Sequence, residues 1–269
     1  MTKILPWGHF FAIDEDGCIL NDCHEDKILP PWTSLVNELS QTCLEVWSSR
    51  LQGLYLRGSV PRGLAILRNS DLDSFAILSG EITPEDVHHS RNISQTLKRR
   101  YLFCKKVELL LFNQTWMEKT HSIWPVIIQT QSLKIAGPHN FFSGKKAQPG
   151  RDLISYSYTW SADLENTLKQ LEGFSPQSFH FSTQVKQQCA WIARRMIRVG
   201  FELVSERDQR YTPDLYHCYE RFSAYFPENR AAMRKALELA IEPSPNRPGL
   251  ILFLRGFGRW LETQVNPEL

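Results

Sequence analysis

The stretch Leu54-Tyr55-Leu56-Arg57-Gly58-Ser59-Val60-Pro61-Arg62-Gly63-Leu64-Ala65-Ile66-Leu67-Arg68-Asn69-Ser70-Asp71-Leu72-Asp73-Ser74-Phe75-Ala76-Ile77 decides how the chain is read. One apolar run, Leu51 to Leu56, ends just before Gly58-Ser59, and a second run, to Leu78, opens on Asp71-Leu72-Asp73. Both read as short buried strands. Residues i and i+2 of a strand point to the same face, so Asp71 and Asp73 would present two carboxylates side by side. Such a pair repels unless a cation lies between the groups or one takes a proton. Hard oxygen ligands of this kind suit Mg²⁺ or Mn²⁺, above all when the ion is shared with phosphates. Spacing alone says little, because acid-x-acid pairs are expected about three times by chance at this acid content. Four occur, at 14/16, 71/73, 163/165 and 206/208. A solvated turn ahead of a strand is the plain alternative for Asp71 and Asp73, and only context argues against it.

That context is Glu108 and the Gly58-Ser59 turn. Glu108 stands in Val107-Glu108-Leu109-Leu110-Leu111-Phe112, where a lone acid is costly unless it is at an edge, paired or bound to metal. Glu81 and Glu85 are other acids nearby, but neither lies inside a strand pattern. Gly58 permits close backbone approach, and exposed N–H groups with the Ser59 hydroxyl can bind phosphate oxygens. Strand, Gly-Ser, eleven residues, Asp-x-Asp on a second strand and an acid on a third is a layout able to hold two metals for an in-line phosphoryl-type displacement.

On Gly58, Ser59, Gly63, Ser70, Asp71, Leu72 and Asp73, with Glu108 as third acid, the chain resembles the DNA-polymerase-β-like nucleotidyltransferase superfamily. It is most similar to the bacterial branch with a C-terminal helical bundle. That branch includes kanamycin-type and streptomycin-type aminoglycoside nucleotidyltransferases and the minimal nucleotidyltransferases of toxin–antitoxin pairs. The segment Gln129 to Gly137, and the helix around Arg194 to Glu206 followed by Tyr211-Thr-Pro-Asp-Leu215, resemble it too. Two positions depart from the pattern: Arg57 and Ser74 stand where apolar residues are usual.

The resemblance implies an α+β protein, a small mixed sheet followed by an α-helical bundle. It implies transfer of an NMP from an NTP, ATP first, to a hydroxyl acceptor, with pyrophosphate released. The acceptor class, small molecule, tRNA or protein side chain, stays open, as does a partner protein of the toxin–antitoxin kind. Asp71, Asp73 and Glu108 would be catalytic and bind Mg²⁺ or Mn²⁺. Glu108 would serve as ligand or as base. Ser59 and the Gly58 backbone would hold the triphosphate, with Arg57, Arg62, Ser70 and Arg198 as further nucleotide-binding candidates.

The rest of the chain is consistent with a globular protein. It has 269 residues, 42% hydrophobic and 22% charged, and a formal net charge of +2, which argues against a protein that coats nucleic acid by bulk charge. No apolar run approaches the ~18 residues of a transmembrane helix, and Met1 to Phe11 does not read as a secretory signal. Six cysteines without a C-x-x-C pair read as small apolar residues of a reduced, cytoplasmic protein, although Cys18, Cys23 and His24 could contribute to a metal site.

The pattern changes near residues 140 to 160, which predicts a nucleotidyltransferase domain over 1–140 and an α-helical bundle over 141–269. In the first, a hairpin is expected over Phe10 to Asn21, helices over Trp32 to Arg50, from Thr83-Pro84 to Arg100, and from Thr115 to Gln129, and strands over Lys105 to Phe112 and Leu133 to Ala136. In the second, apolar positions 185, 189, 192, 196, 199 and 203 define a long helix. Further helices are expected over Pro213 to Tyr225, Asn229 to Ile241 and Leu250 to Val265.

Several smaller features have two readings each. Arg194, Arg198, Glu202 and Glu206 form a polar stripe, either i,i+4 pairs on a solvated face or phosphate contacts. Arg210 and His217 match the loose Arg–x₆–His spacing of HEPN-type RNases, a rival function. A non-catalytic nucleotide-binding or antitoxin-type module is another. His88-His89 reads as helix surface. Lys98, Arg99, Arg100, Lys105 and Lys106 read as a solvated face that could contact RNA phosphates.

Overall fold

The computed structural model describes residues 2–117, 124–141, 146–150, 153 and 155–265. The chain divides into two units, Ala12–Ala147 and a second that joins the first eleven residues to Gln148 onward. The fold is α+β, with every named strand in the first unit.

In the sheet unit, α1 (Trp32–Trp47) leads into β1 (Leu51–Arg57), and β2 (Leu72–Leu78) follows the Gly58–Asp71 loop. The helix α2 (Pro84–Arg100) then crosses over to β3 (Val107–Asn113). Two short helices, α3 (Gln114–Met117) and α4 (Trp124–Gln131), precede β4 (Ser132–Ala136). The helix expected over Thr115 to Gln129 is therefore seen as two pieces, and its 118–123 portion lies outside the described residues. The sheet order is β3-β2-β1-β4; β1 is antiparallel to β2 and β4, and β2 is parallel to β3. A parallel pair needs a crossover, which α2 supplies.

Both faces of the sheet are covered, which is why its strands read as near-continuous apolar runs. Leu54, Leu56, Leu72, Ala76, Val107 and Leu109 pack on Leu35, Leu39 and Cys43 of α1 and on Ile93 and Leu97 of α2. Tyr55, Phe75 and Ile77 pack on the opposite face with Ile128 of α4 and with Trp124 and Phe141. The hairpin expected over Phe10 to Asn21 is reduced to one bridge, Ile13 with Ile19, because Asp14 Oδ1 closes the turn by accepting from the N–H groups of Asp16 and Cys18. All six cysteines are free and buried, and burial pushes the Cys23 and Cys43 thiols up to about 12.

The helical unit contains α5 (Tyr156–Gly173), α6 (Phe181–Asp208), α7 (Leu215–Tyr225), α8 (Arg230–Ile241), α9 (Arg247–Phe253) and α10 (Arg259–Val265). The sequence pattern does not single out α5. Its start is held by Glu202 of α6. Glu202 Oε1 accepts from the N–H groups of Ser155 (2.9 Å) and Tyr156 (3.0 Å), and Oε2 from the Ser157 N–H (2.7 Å) and Oγ (2.6 Å). A carboxylate placed there satisfies orphan donors and the positive end of the helix dipole. The helix expected over Leu250 to Val265 is interrupted by a π-helical turn, Leu254–Gly258, and the indole of Trp160 donates to the Gly258 carbonyl at 3.1 Å. No helix among the described residues is long and apolar enough to cross a membrane.

Asp86 anchors α2. Thr83 and Asp86 form a capping box, and the same carboxylate accepts from Trp47 Nε1 (2.9 Å) and from Arg50 Nη1 (2.9 Å) and Nη2 (3.0 Å). Burial pushes this carboxyl up, but its hydrogen bonds to Thr83, Arg50 and Trp47 outweigh burial and hold it at about 2, against an ordinary 3.8. Its stabilisation, about 2 kcal/mol by linkage, is complete above pH ~4 and is lost as pH falls through about 2. Asp86→Ala leaves Arg50 and Trp47 without their acceptor and is expected to cost ~3 kcal/mol in urea unfolding at pH 7. That deficit should shrink as the pH falls below 4; a deficit independent of pH would show that the ionised carboxylate is not its source.

Candidate functional site

Three strands bring charged side chains to one end of the sheet. The Cα register pairs Arg57 of β1 with Asp73 of β2, and Asp73 with Glu108 of β3, so the three form one row across adjacent strands. They lie on the face of Tyr55 and Phe75 by strand alternation. Asp71 immediately precedes β2, two residues before Asp73.

The carboxylates differ sharply in what they accept. Glu108 accepts from two cations: Arg57 Nη2 donates to Oε2 at 3.1 Å and Lys106 Nζ to Oε1 at 2.7 Å. Burial raises its carboxyl, but Lys106 and then Arg57 outweigh burial and hold it below the usual range. The Lys106 ammonium is raised in turn, chiefly by that hydrogen bond. Asp73 accepts no hydrogen bond among the described residues, and burial pushes its carboxyl up; Arg57 opposes the rise while Glu108 and Asp71 add to it. Asp71 Oδ1 is buried and accepts no hydrogen bond, and Arg57 Nε is buried without an acceptor. A buried acceptor and a buried donor left unmatched at one site each carry a desolvation cost that a bound cation and a bound anion would remove.

The residues present fit a divalent cation at Asp71 and Asp73, two carboxylates of which neither is neutralised by a donor. At Glu108 each oxygen already accepts from one cationic side chain, so an ion there would share the carboxylate with Lys106 and Arg57. Among the described residues no group of three or more His, Cys, Asp or Glu side chains is gathered to hold a metal ion. That includes Cys18, Cys23 and His24.

The loop after β1 completes the site. Gly58 has φ +80°, and a Cβ there would stand 2.6 Å from Asp73 Oδ2. The turn therefore both needs glycine's left-handed conformation and lets the backbone lie against the carboxylate. Ser59 Oγ makes no hydrogen bond among the described residues, and the Ser59 carbonyl accepts from Leu64 N–H at 2.9 Å, closing the loop. Ser70 Oγ accepts from Ile66 N–H at 2.8 Å, which shapes the approach to Asp71. Arg62 is buried and donates from Nε to Asp22 Oδ2 at 2.7 Å, with Lys27 on the same carboxylate. This pairing fixes Arg62 within the loop.

Arg198 belongs to the helical unit, where its guanidinium lies 5.4 Å from the Tyr156 ring centroid. Its i+4 neighbour Glu202 is turned to the start of α5, so the polar stripe is not a simple ladder of i,i+4 bridges. Arg210 and His217 each contact the Phe10 ring at 5.0 Å; Arg210 Nε lies 3.3 Å from Asp208 Oδ2, and His217 Nε2 lies 3.1 Å from the Gly8 carbonyl. The nuclease pairing thus has Phe10 against both members. In the basic cluster, Lys98 Nζ donates to the Cys104 carbonyl and Arg100 pairs with Glu38. Lys106 is the residue whose role sequence reasoning misses. The available signal is its i,i+2 spacing from Glu108, which puts both on one face.

No family model matches the chain, and no curated protein matches it. Among solved structures, the chain is similar to the spectinomycin adenyltransferase AAD(9) from Enterococcus faecialis, solved with ATP and spectinomycin, at 14% sequence identity, covering 87% of this chain and 99% of that one, with a TM-score of 0.49. Similarity at that level assigns no residue a role, and the chemistry of the site rests on its own side chains.

Two glycines separate strain from contact at this site. Gly80 also has positive φ (+76°), but a Cβ there would meet nothing within 4 Å. Gly80→Ala is expected to cost ~1–2 kcal/mol in urea unfolding from left-handed strain alone. Gly58→Ala should cost more, because its methyl must also displace the Asp73 carboxylate. Equal losses would mean that Asp73 does not lie against the turn.

Proposed function

We propose that the sheet unit is the centre of a metal-dependent nucleotidyltransferase, moving an NMP from an NTP to an acceptor hydroxyl. The observation that carries this is the pair Asp71 and Asp73, set beside the Gly58-Ser59 turn, with Asp71 Oδ1 buried and unmatched. Two carboxylates so placed are suited to share a cation with phosphate oxygens. When bound, Mg²⁺ or Mn²⁺ would neutralise charge on the triphosphate and polarise it as a Lewis acid. Asp71 and Asp73 would hold that ion. The Ser59 hydroxyl, the Gly58 backbone and the unmatched Arg57 Nε would hold phosphate oxygens.

The acceptor oxygen attacks the α-phosphorus and a new P–O bond forms. The bond from that phosphorus to the bridging oxygen breaks, and pyrophosphate leaves with the electron pair. The hydroxyl proton passes to a carboxylate of the Asp73–Glu108 row and from there to water. Ser70 acts by holding the loop, and Arg62 and Arg198 are further candidates for phosphate oxygens. The acceptor is defined by its reacting group, a hydroxyl, in a compartment that supplies NTPs, which is the cytoplasm.

The test is transfer of label from ATP, CTP, GTP or UTP into fractionated cell extract, with pyrophosphate release measured alongside. Asp71→Asn and Asp73→Asn each remove one ligand charge and are expected to lower transfer by roughly 10²–10³-fold. Both variants should unfold at or above the wild-type urea midpoint, since each removes repulsion among carboxylates. Transfer retained in the double variant would sink the proposal.

A further inference from the structure

Lys106 is fixed beside Asp71 by the backbone. The Leu72 N–H donates to the Lys106 carbonyl at 2.8 Å, and the Lys105 N–H donates to the Ser70 carbonyl at 3.0 Å. These two bonds straddle Asp71. The side chain then reaches Glu108 Oε1 at 2.7 Å, and its ammonium is attracted by Asp71 and Asp73 as well as by Glu108. Lys106 is thus paired with Glu108, and its backbone is bonded on to the segment that carries Asp71.

The net charge of the cluster agrees with this. Asp71, Asp73 and Glu108 carry three negative charges, and Lys106 and Arg57 return two, leaving a net −1. One divalent cation turns that into +1, which suits a polyanionic triphosphate. A second would raise it to +3 and would meet two cations already on the oxygens of Glu108, at 2.7 and 3.1 Å. A lysine ammonium is a compact point charge with three donors. One of them goes to Glu108, and the side chain is 59% exposed, open to an incoming oxygen.

We propose that Lys106 takes the place of a second metal ion, so that this centre works with one divalent cation, held by Asp71 and Asp73. The proposal rests on the nucleotidyltransferase reading above and deepens it. Glu108 then also holds Lys106 and Arg57 in place, and the ammonium of Lys106 would lie against the attacking acceptor oxygen.

The experiment counts Mn²⁺ bound per protein in the intact chain, by electron paramagnetic resonance, with α,β-methylene ATP as an unreactive NTP. Wild type is expected to bind one Mn²⁺. Lys106→Met frees Glu108 Oε1 and is expected to bind two, the second at least tenfold tighter than any second ion on wild type. Lys106→Arg keeps the charge and should return the count to one, and Lys105→Met should leave it at one. Thermal melts of each variant check the fold, which a 59% exposed side chain should not disturb. Two Mn²⁺ on wild type, or one on Lys106→Met, would overturn the role of Lys106 while leaving the nucleotidyltransferase reading in place. A count that does not fall in Asp71→Asn plus Asp73→Asn would remove the cation site itself, and both proposals with it.

Discussion

The register between β1, β2 and β3 is the constraint on which everything at the site depends. Arg57, Asp73 and Glu108 stand in one row only because Arg57 is the Cα partner of Asp73 and Asp73 of Glu108. A one-residue slip of any strand would turn its charged residue to the opposite face. The neighbouring row resists that slip. Tyr55, Phe75 and Leu110 are partners two residues further into the sheet, and the Tyr55 and Phe75 rings stack at 5.0 Å with only 7° between their planes. Phe75 also meets Trp124 edge-on at 5.1 Å. On the other face, Leu54, Leu56, Leu72 and Ala76 are buried against α1 and α2. Slipping one residue would put aromatic rings against those two helices and carboxylates into the core. The apolar packing therefore sets the charges, and it offsets the desolvation cost that the charges carry.

Adjacent partners in that row have been driven in opposite directions. Glu108 is held ionised by Lys106 and Arg57, whereas Asp73, one strand away, has a carboxyl raised by burial with no donor to offset it. Environments that separate two neighbouring carboxylates in this way assign them different work. Glu108 arranges two cations. Asp73 and the buried oxygen of Asp71 accept from no donor among the described residues.

Much of this is legible from residue order. Alternation and the Gly58–Asp73 spacing locate β1, β2, β3 and the α2 crossover, since short apolar runs bounded by Gly-Ser, Thr83-Pro84 and polar turns leave few other arrangements. Thr83 as N-cap is visible because a cap is a local device. Interactions between residues far apart in sequence are not. The pairing of Arg62 with Asp22, forty residues earlier, is one example. Glu202 reads as one rung of a surface ladder, yet it caps a helix that starts 46 residues before it. The start of α5 has no side-chain cap of its own, which is why its sequence carries no start signal. The π-helical turn at Leu254–Gly258 is equally silent: the Gly258 carbonyl at its end accepts from Trp160, a residue 98 positions away.

Counting donors on the acids of the sheet unit separates Asp86 from Asp71 and Asp73. Asp86 and Asp73 belong to the same unit, and burial pushes both upward. Asp86 receives hydrogen bonds from Thr83, Arg50 and Trp47 and falls to about 2, so its charge is fully matched inside the protein and further ligands have nothing to gain there. Asp73 receives none among the described residues, and Asp71 keeps one buried oxygen unmatched. Residue order places Asp86 in the first turn of a helix and Asp73 inside a strand, but it does not show the donors set against each. The difference lies in the donors that the fold sets against each. A protein that matches Asp86 so completely had donors to place and set none on Asp71 and Asp73, although Lys106 and Arg57 reach their neighbour Glu108. Two acids left unmatched beside a third that is doubly matched is an arrangement whose desolvation cost is offset only when something positive arrives.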